Sequence, residues 1–270
     1  MLKSTKLDFW DGLELKEASF QRRSFPTHFH DAYSIGIIRQ GVEKMTVKDC
    51  NYILPTQSVV IVNAFEAHSN TFYNEEKWTY QSVYVNADLL SYFQKIGSPF
   101  PKSKGVQFQN FLQDDFLYQS LVHFHEDVRG NKREALQNIC LHLLQHYQNE
   151  KPEQAPHYFH FKAQIEDIQS YLASNCLEKI NLEVLAQRHK LSAYQFTRAF
   201  KSHTGLTPAN YLTLLRLNHA KELLSQKVAL SEVALASGFY DQSHLSNYFK
   251  KFFGITPLSY KRNSEILPLL

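Results

Sequence analysis

The chain has few cysteines and no long apolar run. Its three cysteines, Cys50, Cys140 and Cys176, are scattered among 270 residues without a CxxC spacing. This pattern excludes a disulfide scaffold or a zinc ribbon and is typical of reduced thiols. No segment approaches the roughly 20 apolar residues that span a bilayer, and the first ten residues lack a signal-peptide core. We therefore expect a cytoplasmic protein with no membrane partner.

Acidic residues are scarce in the C-terminal part. Residues 161–270 contain 13 Lys and Arg against 8 Asp and Glu, a net charge of +5, whereas residues 1–160 contain 16 against 18, a net charge of −2. A basic region joined to a slightly acidic one predicts that one end of the molecule binds a polyanion. With 43% apolar residues, the chain has enough material for two folded cores.

Residues 25–85 have the pattern of short β-strands. Segments 33–38, 42–47, 52–54, 59–62 and 78–85 are rich in β-branched and aromatic residues and are separated by turn residues. Several short strands at close spacing predict an antiparallel sandwich or barrel.

The period changes to that of helices after about Phe111. Leu112, Phe116, Leu117, Leu121 and Phe124 are spaced for one helical face, and a second set runs from Leu136 to Tyr147. These helices in 111–147 either cap the β domain or form the seam of a homodimer. We expect a sensing and dimerisation domain over 1–147, a linker over 148–160 with two prolines, and an all-α domain over 161–270. The fold class is then α+β.

The C-terminal part contains an internal repeat. LEVLAQRHKLSAYQFTRAFKSHTGLTPANY (182–211) matches LSEVALASGFYDQSHLSNYFKKFFGITPLSY (230–260) at an offset of 48 before the central turn and 49 after it. In the second copy, Ser231 and Asp241 are suitable N-caps, and Gly238 can end the first helix in a left-handed conformation. Each copy is therefore predicted to form a helix, a turn and a second helix, the layout of a helix-turn-helix unit.

The second helix of each copy has an exposed face without carboxylates. Solvated helix faces usually mix both charge signs, whereas a face that meets phosphates and base edges needs donors and cations. The residues of these faces are Tyr194, Gln195, Thr197, Arg198 and Lys201 in the first copy, and Gln242, Ser243, His244, Asn247, Lys250 and Lys251 in the second.

These motifs resemble the AraC/XylS family of bacterial transcription regulators. The segment ALSEVALASGFYDQSHLSNYFKKFFGITPLSYKR (229–262) carries most of the resemblance, which covers about 161–262. The resemblance implies two helix-turn-helix units joined by a long helix, here from Thr207 to about Gln226, that bind successive turns of duplex DNA. It also implies RNA polymerase as a partner, because most of the family activates transcription.

The resemblance divides the DNA-facing residues into two roles. Base-reading candidates make contacts that discriminate sequence, and phosphate-binding candidates set position only. The base-reading candidates are Tyr194, Thr197, Arg198, Gln242, Ser243, His244 and Asn247. The phosphate-binding candidates are Lys201, Ser246, Lys250 and Lys251.

The front domain resembles the cupin-like sensing domain of the same family. His28 and His30, separated by one residue, precede a later His68, and the position of the glutamate found in metal cupins is taken by Ser34 or Ile35. With one ligand missing, we assign no metal and no cofactor. The expected effector-pocket residues are His28, His30, Tyr33, His68 and Tyr84.

The leading hypothesis is a transcription activator controlled by an unknown small molecule, and not an enzyme. Two alternatives stay open: a metal-dependent cupin enzyme with an attached DNA-binding domain, and a regulator without an effector. Bound metal would favour the first alternative, and a ligand that raises the melting temperature would exclude the second.

Overall fold

The structure, a computed structural model, describes residues 2–7, 13–47, 50–97, 106–127, 130–149, 161–226, 228–263 and 265–267. Most of the predicted linker, 150–160, lies outside the described residues, as does Asp49, which precedes the predicted strand 52–54 in the turn after 42–47. The strands are β1 (Leu2–Leu7), β2 (Glu14–Phe20), β3 (Phe25–His28), β4 (Tyr33–Gln40), β5 (Val42–Val47), β6 (Cys50–Pro55), β7 (Val59–Val62), β8 (His68–Phe72), β9 (Trp78–Val85), β10 (Gln107–Phe108), β11 (Phe111–Leu112), β12 (Gln148–Asn149) and β13 (Glu265–Leu267).

Two sheets form a β-sandwich in the N-terminal part. The larger has the order β11-β7-β4-β9-β2-β1-β13, and the smaller has the order β3-β8-β5-β6. Their pairings are antiparallel except for β1 with β13, through which a strand from the C-terminal end joins the N-terminal sheet. Ile38 and Val62 of the larger sheet pack against Met45 and Leu54 of the smaller one. The predicted antiparallel sandwich is confirmed.

The period of two along the strands gives the larger sheet two different faces. On β4, Ile35 and Ile37 pack with α1 (Ala87–Gly97), α2 (Asp115–Glu126) and α3 (Lys132–His146). The alternate residues Ser34 and Gly36 face the interior of the sandwich, because successive side chains of a strand point to opposite faces.

The predicted pair of helices within 111–147 is confirmed, with two corrections. Leu112 lies in β11 rather than in a helix, and Phe116 is 58% exposed rather than buried. The buried residues of α2 include Leu117, Leu121 and Phe124. Phe116 precedes Leu117 by one residue and is therefore turned about 100° away from it.

The C-terminal part is helical. Its helices are α4 (Lys162–Asn175), α5 (Leu182–Arg188), α6 (Ala193–Thr204), α7 (Pro208–Ser225), α8 (Leu230–Ala236), α9 (Gln242–Phe253) and α10 (Pro257–Asn263). The predicted long helix is α7, which has buried residues around more than one face because it packs against both repeats. Within the described ranges, no helix is long and apolar enough to cross a membrane.

Local capping sets the ends of the two repeated units. Ser192 forms a capping box with Gln195 at the start of α6, and Asp241 accepts a hydrogen bond from the His244 amide at the start of α9. The expected N-cap at Ser231 is wrong, because α8 begins one residue earlier, at the buried Leu230. The turn between α5 and α6 contains no glycine. Lys190 adopts the left-handed conformation there, with φ 58°.

The sandwich packs directly on the helical part. Phe29 and Ala67 belong to the same buried cluster as the helical core, and the rings of Phe29 and Tyr211 lie 4.9 Å apart. Ile255 packs on the cluster of Ala18 and Trp78. The two parts therefore share a hydrophobic interface.

Phe200 tests the packing of the repeated units. It is fully buried against Phe196 and Tyr211. We expect Phe200→Ala to lower the free energy of unfolding by about 3–5 kcal/mol, because it removes buried apolar area and leaves a cavity. Urea denaturation followed by circular dichroism measures this change. The exposed Tyr73→Ala is the control and should change the free energy by less than about 0.5 kcal/mol; equal losses would contradict this core assignment.

Candidate nucleic-acid interface and effector pocket

Helices α6 and α9 present the sequence-predicted contact residues to solvent. All base-reading candidates are exposed, as are Lys201, Lys250 and Lys251, while Ser246 is half-buried. On the opposite faces, Phe196 and Phe200 of α6 and Leu245 and Phe249 of α9 are buried. The buried side thus holds each helix in the core and leaves its donor-rich side available.

Two candidate side chains have ordered surroundings. The Arg198 guanidinium donates to the Tyr194 hydroxyl at 3.4 Å, one helical turn away. The His244 ring packs edge-on against Phe239 and Tyr248, and its Nδ1 accepts from the Tyr240 amide at 3.4 Å. The ring contacts of His244 restrict its rotamer freedom in advance of any ligand.

Sequence reasoning missed two exposed residues in the second unit. Leu235, near the end of α8, is 68% exposed, and Tyr240, in the turn, is 87% exposed. Both lie in the second copy of the repeat, and Tyr240 is two residues before α9 begins. For Tyr240 the sequence did contain a signal of exposure, because an aromatic residue stands there in a turn next to the N-cap Asp241.

The C-terminal ends of both helices lie against the sandwich. Gly205 and Gly254 end α6 and α9 with φ of 79° and 81°. A Cβ built on Gly205 would be 2.7 Å from the Ala67 Cβ, and one on Gly254 would be 2.8 Å from the Phe25 ring. Glycine is required for both the backbone conformation and the close approach.

A cavity of about 90 Å³ lies between the two domains. Small side chains on the inner face of the larger sheet, Ser34, Gly36 and Ser82, leave this space open. The helical part closes it with Lys221, Phe252, Phe253, Ile255 and Tyr260. An occupant would therefore contact both domains.

His28, His30 and His68 converge in this cavity, and Tyr84 lines it too. His28 Nδ1 lies 2.8 Å from the Pro26 carbonyl oxygen, and His68 Nδ1 lies 3.1 Å from that of Glu66. Tyr33 does not join them: it lies in the core under the helices, and its hydroxyl donates to the Val106 carbonyl oxygen at 2.7 Å.

Burial keeps the three histidines neutral. It lowers the pKa of His28 and His30 well below the usual value and that of His68 to about 4. The nearby Lys16 ammonium lowers all three further. Lys16 is itself buried, with its Nζ 3.9 Å from the centre of the Tyr84 ring.

A buried ion pair crosses the domain interface beside the cavity. Lys221 of α7 lies 3.3 Å from the Glu14 carboxylate of β2, which the Tyr260 hydroxyl also approaches at 3.5 Å. Burial alone would lower the pKa of Lys221, but the Glu14 carboxylate raises it above its ordinary value. Lys221 is therefore charged, and its charge is compensated from the other domain.

Glu43 is a second buried carboxyl on the cavity wall. Burial raises its pKa to about 7, although the Asn70 side-chain amide donates a hydrogen bond to its Oε1 at 2.5 Å, which opposes the shift. Near neutral pH this group is divided between its neutral and charged forms.

Glu43 should make the stability depend on pH. Its folded-state pKa lies above the unfolded value of about 4.3, so its stabilising contribution is full below that value and is lost as the pH rises through 7. We expect the wild type to lose roughly 2–3 kcal/mol relative to Glu43→Gln between about pH 5 and about pH 8. Urea denaturation at each pH measures this difference, and parallel stability profiles would contradict the assignment.

Two family profiles match separate parts of the chain. Residues 12–144 match the AraC-like ligand binding domain, and residues 185–263 match a helix-turn-helix domain. The cavity histidines fall in the first match, and α6 and α9 fall in the second.

Relatives and solved structures agree with these matches. The chain is 28% identical over 233 residues to the HTH-type transcriptional regulator YbfI of Bacillus subtilis, covering 83% of this chain and 82% of YbfI. It is 27% identical over 256 residues to the transcriptional activator RhaS of Pectobacterium carotovorum, covering 89% of each. The fold is similar to that of ToxT from Vibrio cholerae, with a TM-score of 0.61, 13% identity and coverage of 93% of this chain and 98% of ToxT. With a ligand-binding domain followed by a helix-turn-helix DNA-binding domain, the chain belongs to the AraC/XylS family of transcription regulators.

Proposed function

We propose that this regulator reads operator DNA with α6 and α9 and changes its DNA affinity when a small anionic molecule binds in the interdomain cavity. The observation that carries the proposal is the cavity wall, which both domains form. A ligand shifts a conformational equilibrium only if it binds one arrangement more tightly than another. A ligand that contacts both domains satisfies this condition, because its contacts change when the domains move.

The surfaces of α6 and α9 support the DNA-binding roles. Neither helix contains Asp or Glu, and their exposed sides carry amide, hydroxyl and cationic groups. Arg198 is suited to a bidentate contact with guanine, and Gln242 or Asn247 to one with adenine. Helix α7, which joins the two units, has 18 residues and is therefore about 27 Å long. Successive sites for two such units on DNA lie one turn, about 34 Å, apart.

Arg198→Ala tests direct base reading. We expect a loss of about 1–3 kcal/mol in operator affinity and relaxed preference at particular base pairs, because the guanidinium donors are removed. The operator is first selected from random DNA with the wild type, and affinities for it and its point variants are then measured by fluorescence anisotropy. The control is Arg22→Ala, an exposed arginine of the sandwich. Unchanged selectivity in Arg198→Ala would remove its assigned role.

Lys250→Ala tests the phosphate role. We expect weaker binding to all sequences alike and a salt dependence whose slope is smaller by about one, because one fewer counterion is released. Affinities for operator and random DNA over a salt series measure both effects. A sequence-dependent loss with an unchanged slope would instead assign Lys250 to base reading.

The charges in the cavity support an anionic effector. Within the described part of the chain, Lys16 forms no ion pair, and the adjacent Lys221 is shared with Glu14. Solved ToxT structures hold an unsaturated fatty acid and a naphthalenyl butenoic acid, both carboxylic acids. A cavity of about 90 Å³ is smaller than the ~150 Å³ that holds benzene, so a larger acid would push the domains apart.

Lys16→Met tests the ligand class. We expect one or more acids of a straight-chain series from acetate to oleate to raise the wild-type melting temperature by roughly 5–10 °C at about 100 times its Kd. The increase should be absent in Lys16→Met, because the buried cation that binds the carboxylate is gone. Lys44→Met, on the sandwich but outside the cavity, is the control. An increase that persists in Lys16→Met, or none in the wild type, would contradict the proposal.

The action at the promoter is proposed to be activation through contact with RNA polymerase. RhaS, the relative described above, is a transcriptional activator and is matched over most of its length. In vitro transcription from the selected operator, with and without the protein, tests this role; a decrease in transcript would make it a repressor.

Dimerisation is proposed through the outer surface of α2 and α3. Phe116 is exposed there, and its ring packs on His142 at 4.7 Å. Light scattering at micromolar concentration should give twice the monomer mass for the wild type and the monomer mass for Phe116→Asp. A monomeric wild type would remove this proposal.

A further inference from the structure

We infer that His28, His30 and His68 form a binding site for a divalent transition-metal ion such as zinc, with an open coordination position that faces the interdomain cavity. This inference goes beyond the proposed function, which requires no metal. It also departs from the four-ligand cupin pattern, because Ser34 or Ile35 stands where that pattern has its glutamate.

The first argument is convergence. One ring nitrogen from each of the three histidines lies within 4.8 Å of those of the other two, and the ring centres are 4.3–5.2 Å apart. Zinc–nitrogen bonds of about 2.0–2.1 Å in tetrahedral geometry place ligand atoms about 3.4 Å apart. Small inward movements of the rings would therefore complete the site.

The second argument is the orientation of the rings. Nδ1 of His28 is engaged by the Pro26 carbonyl oxygen, and Nδ1 of His68 by the Glu66 carbonyl oxygen. A backbone carbonyl accepts only, so each Nδ1 carries the proton and each Nε2 keeps its lone pair. Donation of the second ring N–H to a carbonyl is the usual outer-sphere arrangement of metal-binding histidines.

The third argument is an unsatisfied buried group. His30 is 6% exposed, and its Nδ1 has no hydrogen-bond partner among the described residues. Buried polar nitrogens are normally paired, and this one lies beside two other imidazoles. A metal ion would satisfy it.

The chemistry of the donors selects the class of ion. Three imidazole nitrogens suit zinc, copper, nickel or iron(II), whereas calcium and magnesium prefer oxygen. Three histidines leave a fourth position open, as in catalytic zinc sites. The nearby Lys16 ammonium repels a metal ion that has no anionic ligand, but it attracts an anion bound to that metal ion. The fourth ligand should therefore be hydroxide or a carboxylate.

The experiment uses the full-length chain without an affinity tag, dialysed against a chelator and titrated with Zn²⁺ by calorimetry. His30→Gln and His68→Gln are compared with the wild type, and His146→Gln is the matched control. His142 and His146 lie one turn apart on α3 with ring centres 4.5 Å apart, so they are the place to expect adventitious binding. Visible absorption of the Co²⁺-loaded protein reports the coordination geometry.

We expect one equivalent of Zn²⁺ in the wild type and in His146→Gln. Zn²⁺ binding should be weaker by at least about tenfold in His30→Gln and His68→Gln. Loss of a residue that only orients a metal ligand already lowers metal affinity by about tenfold or more, and loss of the ligand itself should lower it at least as much. The Co²⁺ spectrum should be tetrahedral in the wild type and should weaken in both variants.

Three results would overturn the inference: less than about a tenth of an equivalent in the wild type, full affinity in either cavity variant, or a loss confined to His146→Gln. Far-ultraviolet circular dichroism of the metal-free variants must match the wild type. If one cavity variant fails to fold, the other decides the question, because loss of either ligand must weaken binding.

Discussion

The contact between the sandwich and the C-terminal ends of α6 and α9 constrains the rest of this molecule. Ala67 lies at Gly205, where α6 ends, and Phe25 lies at Gly254, where α9 ends. Packed interfaces of this kind do not deform continuously but change between discrete arrangements. A shift of the sandwich would therefore be felt at the same time by both helices, and the cavity lies in the interface where that shift occurs.

The cavity contains ionisable side chains where a sandwich interior usually has none. Lys16, the three histidines and Glu43 share a space that Lys221 closes from the helical part. A buried ion pair such as Glu14–Lys221 is weak as a source of net stability, because desolvation offsets most of the attraction. Its position across the interface makes it better suited to define one relative arrangement of the domains than to strengthen the fold.

Features encoded within a few residues were predictable from the sequence. The repeat placed both helix-turn-helix units, and Asp241 and Gly238 identified helix ends because capping depends on local hydrogen bonds and backbone conformation. The wrong predictions concern a helix start and a side-chain exposure that depend on tertiary packing. Leu230 enters the core and begins α8 ahead of Ser231, and Phe116 lies on the side of α2 that the sandwich leaves uncovered.

The sequence by itself determined the two-domain order and the exposed faces of α6 and α9, because hydrophobic period and composition carry that information locally. The family was indicated by the resemblance of segment 229–262. Only the tertiary structure decided that the histidines meet, that Tyr33 stays in the core, and that the cavity has walls from both domains. Glu14 and Lys221, the pair that joins those walls, are 207 residues apart in the chain. No local pattern relates residues at that distance, and only the packing of the folded domains brings them together.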